Sequence, residues 1–343
     1  MIVAVLGSPT ALTHAGFAIV QAIAESTGDP HQQIPAVLVD DLQNALAELP
    51  DNKREQVVIV SDLPSTPLLD IMRASGAPAV IFLDDFEEIV KQLVETGAME
   101  LRPAVRHTTQ VLCAIDQVRG DNVLRVRSDD GARPLKAFIE SLCEFLGLER
   151  TARTAGEVME RLGYAAGDRV TLRDYALMKL PQPVSSEPII ARGDALEQAM
   201  LKFVAKQYAQ VGSGVGVDRI AWPTDLFFQA DPPQDFLEGH SDLVGPARFL
   251  SYGPYLHLPK GSWSVNITIE VAENFSGNHL VVDVVAETVL AVGETALPVS
   301  GVFGFDLAFE VEDPFVAVEV RSQITSGAIE GKLALREVVF RRK

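Results

Sequence analysis

The sequence predicts two kinds of fold in one chain, a doubly wound α/β domain followed by an all-β sandwich of the jelly-roll type. A length of 343 residues exceeds that of most single domains. Residues 1–150 alternate short apolar runs with amphipathic stretches, which is typical of a parallel sheet covered by helices. From about residue 217 onward, apolar and polar residues alternate with a period of two, which is typical of half-buried strands.

Residues 1–150 are predicted to form five strands and six helices. The strands are the short apolar runs 2–6, 36–40, 56–61, 79–83 and 122–127. The helices are the stretches with apolar residues at helical spacing, 16–25, 42–49, 67–75, 86–97, 104–118 and 134–146. Strands and helices that alternate in this order form a parallel sheet with its helices on both faces.

Residues 151–216 are biased towards helix but are irregular. A proline-rich break covers residues 180–188, and a glycine-rich stop covers residues 211–217. Two helices are predicted between these signals, at 156–162 and 193–210. We assign this stretch as a helical linking region between two domains.

Residues 217–343 are predicted to form the sandwich. The alternation is clearest in residues 263–271 and 303–311. Further strands are predicted at 219–228, 246–252, 279–286, 315–321 and 332–340. Seven or eight short strands with turn signals between them and no helices are typical of a sandwich or jelly roll.

Composition excludes several classes of partner and site. The formal net charge is −18, and lysine and arginine cluster only at residues 341–343, so nucleic acid and anionic membrane are poor partners. Cys113 and Cys143 lie in apolar stretches and are expected to be buried, and no histidine or cysteine has metal-ligand spacing. Residues 1–24 lack the basic start of a signal peptide, so a cytoplasmic location is expected, and a surface or particle role would require lysis or a specialised route.

The loop after the first strand lies where an α/β fold cradles a phosphate on backbone N–H groups. It contains no lysine or arginine, although a phosphate loop normally uses one to neutralise the anion. If the loop binds an anion, the candidate contacts are Gly7, Ser8, Thr10, Thr13 and His14.

Three segments together resemble the P-loop sulfotransferase family. Gly7-Ser8-Pro9 opens like that family's loop for the 5′-phosphosulfate of its donor, but Thr10 stands at the arginine position. Residues 79–86 resemble the strand that leads into the family's 3′-phosphate motif, with Leu83 at the arginine position. Residues 123–148 follow the family's terminal strand, acidic loop and helix, ending in Phe-Leu-Gly-Leu.

The resemblance implies a sulfotransferase-like scaffold over residues 1–150 that has lost the cations for its donor. Asp84 and Asp85 would repel two phosphate groups. We therefore expect a degenerate pseudoenzyme that needs no cofactor. An active sulfotransferase or other nucleotide-dependent transferase acting on a polysaccharide remains the alternative, and so does an unrelated α/β domain whose loop only turns a corner.

The most unusual segment, residues 245–263, combines aromatic rings, cations and turn formers. Residues 217–341 resemble a β-sandwich module of bacterial polysaccharide-related proteins, in which a Tyr-Gly-Pro-Tyr strand leads through a Leu-Pro-x-Gly turn. Such modules stack rings on sugar faces and pair fixed polar groups with hydroxyls. The candidate contacts are Trp222, Arg248, Tyr252, Tyr255, His257 and Glu330. A core role for these rings is the competing interpretation.

The sequence therefore predicts a non-catalytic glycan-binding protein, in which an inactive scaffold carries a polysaccharide-binding sandwich. A structural or surface-attachment subunit of a larger, phage-like assembly is a further alternative. A protein partner at the N-terminal domain and a homo-oligomer stay open, and no membrane insertion is expected.

Overall fold

A computed structural model of the chain describes residues 2–27, 32–50, 57–148, 152–165, 167–179, 195–233 and 235–343. The chain divides into two compact units. The α/β unit comprises Met1–Arg192 and Gly212–Gly214, and the β unit comprises Gly193–Val211 and Val215–Lys343. The proline-rich break predicted at residues 180–188 lies outside the described residues.

The α/β unit is built on one five-stranded sheet. Its strands are β1 (Ile2–Gly7), β2 (Gln32–Pro35), β3 (Val57–Ser61), β4 (Ala79–Leu83) and β5 (Val123–Arg127). They lie in the order β2-β3-β1-β4-β5, and every neighbouring pair is parallel. β3 and β4 are buried along their whole length, as expected for a sheet that is covered on both faces.

Helices connect these strands and extend beyond the last one. They are α1 (Ala11–Ser26), α2 (Val39–Glu48), α3 (Thr66–Ser75), α4 (Phe86–Glu95), α5 (Leu101–Asp116), α6 (Leu135–Phe145), α7 (Ala152–Arg161) and α8 (Leu172–Leu177). The chain moves one way along the sheet from β1 to β2 and the other way from β2 onward. Right-handed crossovers therefore place α1 on one face and α2 to α5 on the other. The parallel sheet with helices predicted from the sequence is confirmed.

Helices α7 and α8 belong to the core of the α/β unit. Their Val158, Met159 and Tyr175 join the buried residues of α1 and α6 in one cluster. The sequence had assigned residues 151–216 to a linking region. The structure instead uses the apolar sides of these two short helices to cover the face of the sheet that carries α1 and α6.

The second strand lies at Gln32–Pro35, so its predicted position at residues 36–40 was wrong. The helix that follows begins earlier than predicted, because Asp41 caps it. The Oδ2 atom of Asp41 accepts hydrogen bonds from the N–H groups of Val37 and Leu38, at 3.0 and 2.8 Å. Those bonds turn the chain within residues 36–40, the apolar run that had suggested a strand, so that the helix begins at Val39.

The described residues of the β unit form eleven strands in two antiparallel sheets. They are β6 (Arg219–Trp222), β7 (Phe228–Gln229), β8 (Ser241–Asp242), β9 (Arg248–Tyr252), β10 (Pro254–Leu256), β11 (Gly261–Ala272), β12 (His279–Ala286), β13 (Thr288–Ala296), β14 (Gly301–Val311), β15 (Val318–Ile324) and β16 (Lys332–Arg342). The β12 sheet has the order β13-β12-β15-β9-β7, with β10 added beside β15. The β11 sheet has the order β14-β11-β16-β6, with β8 added beside β16.

Alternation along the strands produces the core of the β unit. β11 buries every second residue, which confirms the period of two seen in the sequence. Its Trp263 is fully buried, and the indole Nε1–H donates to the carbonyl oxygen of Pro259 at 2.8 Å. Helix α9 (Ala195–Tyr208) also belongs to this unit, where the hydroxyl of Tyr208 donates to the carbonyl oxygen of His257 at 2.6 Å.

Several strand predictions differ from the structure. β8 and β10 were not predicted, and the strand predicted at 315–321 lies at Val318–Ile324. β13 was not predicted, because it lies at the edge of its sheet and none of its residues is fully buried, so its apolar residues show no clear alternation. The stretch 219–228 was predicted as one strand but divides into β6 and β7, with a 3₁₀ turn at Thr224–Leu226 after Pro223. Within the described parts of the chain, no helix has both the length and the apolar character needed to cross a bilayer.

Candidate functional site

A cleft of about 390 Å³ lies at the carboxyl ends of β1 and β4. The chain leaves β1 towards one side of the sheet and leaves β4 towards the other. This is the position at which open α/β sheets bind ligands. Among the residues that line the cleft are Asp84, Asp85, Glu88, Gln92 and Arg173.

The amino-terminal end of α1 reaches this cleft with hydrogen bonds already made inside the chain. The N–H group of Ala11 donates to Oε1 of Gln92 at 3.0 Å. Thr10 caps the helix by accepting from the N–H group of Thr13 at 3.4 Å, and the Thr13 hydroxyl donates to the carbonyl oxygen of Phe82 at 3.3 Å. The Ala11 N–H and the Thr13 hydroxyl, two groups suited to holding a phosphate, therefore bond to the protein itself.

Carboxylates outnumber cations around the cleft. Asp84, Asp85 and Glu88 line it together with one guanidinium, that of Arg173. Burial raises the pKa of Asp84, the hydroxyl of Thr10 and the charge of Arg173 oppose the rise, and Glu88 and Asp85 add to it. A phosphate placed here would meet like charge. Among the described residues, no set of three or more His, Cys, Asp or Glu is arranged to hold a metal ion.

The other predicted loop contacts are placed differently from one another. A Cβ atom at Gly7 would lie 2.2 Å from Oγ1 of Thr13, so this glycine is needed for close packing of the loop against α1. Ser8 is fully buried, and its hydroxyl has no hydrogen-bond partner among the described residues. His14 is exposed, and its ring packs edge-on against Phe17 with 6.0 Å between centroids. The structure therefore brings Gly7, Thr10 and Thr13 together and leaves the His14 ring on the exposed side of α1.

A row of aromatic rings joins β7, β9 and β10 in the β12 sheet. Phe228 stacks on Phe236 and on Tyr252, with 5.5 and 5.4 Å between ring centroids. Tyr252 meets Tyr255 edge-on at 6.3 Å. The hydroxyl of Tyr255 then donates to Oε1 of Glu319 on β15 at 2.9 Å. The row thus ends at a carboxylate whose position is fixed by a tyrosine.

A charged pair and an exposed ring lie on the same side of the β12 sheet as that carboxylate. Asp283 on β12 faces Arg321 on β15 across the ladder, and two hydrogen bonds join them, including Nε to Oδ1 at 2.9 Å. Arg321 also lies over the ring of Phe249 at 5.3 Å, and Phe249 is 41% exposed. Glu319 and Arg321 are two residues apart on one strand and so share a side of the sheet. We call the surface formed by Phe249, Tyr255, Asp283, Glu319 and Arg321 the β12 face.

Hydrogen bonding favours the charged form of Arg321 on this face. The hydrogen bonds from Arg321 to Asp283 raise the pKa of the guanidinium, burial opposes them, and the Asp283, Glu319 and Tyr255 charges add to the rise. Arg321 is therefore a permanent cation that is held in place by its partner.

Two of the predicted sugar contacts lie in the interior of the β unit. Trp222 is 2% exposed, its ring packs against Phe340 at 4.2 Å, and its Nε1–H donates to the hydroxyl of Tyr208 at 3.2 Å. His257 is 5% exposed. Both side chains pack in the core, the competing interpretation that the sequence had left open.

Two further predicted contacts serve local structure. The guanidinium of Arg248 donates to the carbonyl oxygens of Asp242 and Pro246, at 2.6 and 3.2 Å. Glu330 accepts a hydrogen bond from the hydroxyl of Ser276 at 2.5 Å. Of the six predicted contacts, the aromatic row brings together the two tyrosines.

The sequence carries a signal for the rest of the β12 face that the aromatic segment 245–263 does not contain. Asp283 interrupts an otherwise apolar run in β12, and an acidic residue in such a run is rare unless it is paired. In β15, Glu319 and Arg321 alternate with the buried residues Val318, Val320 and Ser322. A charge of each sign on neighbouring strands could have predicted the pair.

No protein-family profile and no curated protein matches this chain. Among solved structures, the N-terminal part is similar to a mouse sulfotransferase complexed with PAP, with 10% identity over 60% of this chain and 84% of that one, at a TM-score of 0.35. The β region is similar to the C-terminal CBM6 of LamC, a laminarinase from Zobellia galactanivorans, with 15% identity over 34% of this chain and 98% of that one, at a TM-score of 0.20.

A third solved structure is similar over a shorter part of the chain. It is an arabinose-bound MgGH51 α-L-arabinofuranosidase, with 14% identity over 29% of this chain and a TM-score of 0.23. The matched part spans 18% of the length of that enzyme. Similarities of this size assign no activity.

Proposed function

We propose that this protein binds a glycan on the β12 face, and that its α/β unit is an inactive, sulfotransferase-like scaffold. In this proposal the β unit is a jelly-roll-like carbohydrate-binding module. The observation that carries the proposal is the exposed ring of Phe249 beside Arg321, on the side of the sheet that also carries Glu319. Arg321 and Glu319 have opposite charges, and their neighbours Asp283 and Tyr255 hold them in place.

The β12 face supplies the two kinds of contact that sugars need. A pyranose offers one apolar face of C–H groups, which packs on a flat ring such as that of Phe249. Its hydroxyls both donate and accept hydrogen bonds. Among the described residues, Nη1 of Arg321 and Oε2 of Glu319 have no hydrogen-bond partner, so one donor and one acceptor are left for vicinal hydroxyls.

Preorganisation is the second support. Asp283 fixes Arg321, and Tyr255 fixes Glu319, before any ligand arrives. Less side-chain entropy is then lost when a sugar binds. A flexible exposed arginine or glutamate would lose more, and would bind more weakly with the same contacts.

The inactive scaffold is supported by the cleft at β1 and β4. Gln92 occupies the first N–H group of α1, and Asp84, Asp85 and Glu88 surround the position where a donor phosphate would lie. An enzyme that uses a phosphosulfate donor needs cations at this position to hold it. In the described part of the cleft Arg173 is the one cation, and it faces three carboxylates.

Glycan binding is tested with the full chain on an oligosaccharide array, followed by calorimetry on the best ligand. Phe249→Ala should weaken binding at least tenfold, because a sugar loses its stacking platform. The matched control is Phe275→Ala, which removes a ring that is 72% exposed and lies outside the β12 face. The proposal would be contradicted if no oligosaccharide on the array bound the protein, or if the two variants lost affinity equally.

The scaffold half of the proposal has its own test. Calorimetry with the adenosine phosphosulfate donor, and separately with its product PAP, should give no saturable heat at millimolar concentration, because like charges repel in the cleft. Micromolar affinity for either nucleotide would overturn the inactive scaffold and favour an active transferase, whatever the array shows.

A further inference from the structure

We infer that the β12 face selects uncharged glycan chains and rejects acidic ones. This inference rests on the glycan binding proposed above and adds the chemical class of the ligand. It follows from the sign and the placement of the charges on one side of the β12 sheet.

Strand pairing identifies the ionisable side chains that share this side. Asp283 lies opposite Arg321, and Glu319 is two residues from Arg321 on the same strand. Glu294 lies opposite Val281, which is two residues from Asp283 and therefore points the same way. The described residues on this side thus include three carboxylates and one guanidinium. His279, 3.6 Å from Glu294, adds positive charge only when it is protonated.

The cation on this side is already neutralised. Arg321 directs Nε and Nη2 to the two carboxylate oxygens of Asp283. A paired guanidinium still donates from its remaining N–H groups, but it offers little net attraction to a second anion. Arg321 is therefore suited to a neutral hydroxyl oxygen and poorly suited to a sulfate or a uronate.

Glu319 disfavours an acidic ligand more strongly than the paired Arg321 does. Its Oε1 atom accepts from the hydroxyl of Tyr255. A sulfate ester or a carboxylate on the sugar would bring a second negative charge beside it. At an intermediate dielectric constant, the repulsion between two like charges about 4 Å apart lowers the binding affinity by about tenfold or more. A neutral hydroxyl in the same place instead donates to the carboxylate.

The face is also wider than one sugar ring. Asp283 on β12 and Phe249 on β9 lie two strand spacings from each other, which is about 10 Å at a spacing of about 4.8 Å. On the far side of β12, Val289 and Val292 of β13 are 52% and 58% exposed and prolong the apolar surface. We therefore expect a chain of several neutral sugars to gain affinity over a single one.

The test uses matched ligands and the full-length protein. Xylohexaose, cellohexaose and laminarihexaose, each beside its chemically sulfated form, are compared by array and then by calorimetry at low and high salt. A neutral hexasaccharide should bind at least tenfold tighter than its sulfated form, and the ratio should shrink at high salt because screening weakens repulsion. Equal or tighter binding of the sulfated forms would overturn this inference while glycan binding itself stands. If no glycan binds in any form, the proposed function fails as well.

A charge variant locates the effect on the face. Glu319→Gln keeps an acceptor for Tyr255 and removes one negative charge, so the neutral-to-sulfated ratio should fall at least threefold. The matched control is Glu310→Gln on the β11 sheet, where Glu310 accepts from the hydroxyl of Ser262 at 2.5 Å. That variant should leave the ratio unchanged. Equal shifts in both variants would mean that net charge, and not the β12 face, sets the preference.

Discussion

The cleft of the α/β unit and the β12 face of the β unit both collect polar side chains, but they use them differently. In the cleft, the side chain of Gln92 accepts a hydrogen bond from the first N–H group of α1. The negatively charged side chains Asp85 and Glu88 lie near Asp84. On the β12 face, Asp283 and Arg321 pair opposite charges, and each partner fixes the other. The cleft uses two of its donors, the Ala11 N–H group and the Thr13 hydroxyl, inside the chain. The β12 face holds its groups rigid and leaves part of their hydrogen-bonding capacity available.

This difference teaches that position in a fold is not enough to identify a working site. The cleft lies at the place where α/β sheets bind ligands, yet its charges oppose the ligand that the resemblance implies. The β12 face does not lie at a position where the fold itself predicts a ligand site. The proposed site there rests on a ring, a donor and an acceptor that are held in place before binding.

The largest expected effect concerns the pair on the β12 face. Asp283→Ala leaves the mostly buried charge of Arg321 without its partner and should lower the free energy of unfolding of the β unit by about 2–3 kcal/mol. The control is Glu270→Ala on the β11 sheet, where the pair with Arg336 has side chains that are 34% and 45% exposed, and the cost should be about 0.5 kcal/mol or less. Urea denaturation measures both. Similar costs would show that the Asp283 pair is an ordinary surface pair.

A smaller effect is expected in the cleft. Gln92→Ala leaves the N–H group of Ala11 without the acceptor it has at 3.0 Å, which should cost about 1–2 kcal/mol of stability. Hydrogen exchange should accelerate at the first turn of α1, and urea denaturation should give the magnitude. If millimolar inorganic phosphate restored the lost stability, the cleft would still be an anion site and the contrast between the two regions would break down.

The smallest expected effect has the opposite sign. Burial raises the pKa of Asp84, so the folded protein favours the protonated carboxyl and the charged form costs stability at neutral pH. Asp84→Asn should therefore stabilise the protein by about 0.5–1 kcal/mol at pH 7. The gain should disappear as the pH falls below the ordinary aspartate pKa of about 3.9. Denaturation of both proteins across that pH range measures it, and a loss of stability at pH 7 would show that the Asp84 charge is compensated.

The central strands of both units could be predicted from the sequence because they are apolar by position. β4 was predicted at its observed bounds, and so was β12, since buried strands carry continuous or alternating apolar residues. The edge strands β2 and β13 were not predicted at their positions, because their residues are partly exposed and their pattern of apolar residues is weak. Helices α7 and α8 looked like parts of a linker because short segments do not reveal what they pack against.

The candidate sites could be predicted only in part, because a contact between residues far apart in the sequence leaves no local pattern. Tyr252 and Tyr255 stood out because rings and turn formers crowd one segment. Trp222 was chosen for its chemistry, but its burial depends on contact with Phe340 more than a hundred residues away in sequence. Gln92 is 81 residues from Ala11, and no local pattern reports such a contact.

The hydrogen bond from Ala11 to Gln92 also bears on how the protein behaves as conditions change. A helix end that is completed by a dissolved ligand gains stability in proportion to the logarithm of that ligand's concentration. A helix end that is completed by a side chain of its own chain has a partner at constant effective concentration. The first turn of α1 should therefore be equally ordered in a starved cell and in a growing one, because its partner does not depend on the level of a metabolite.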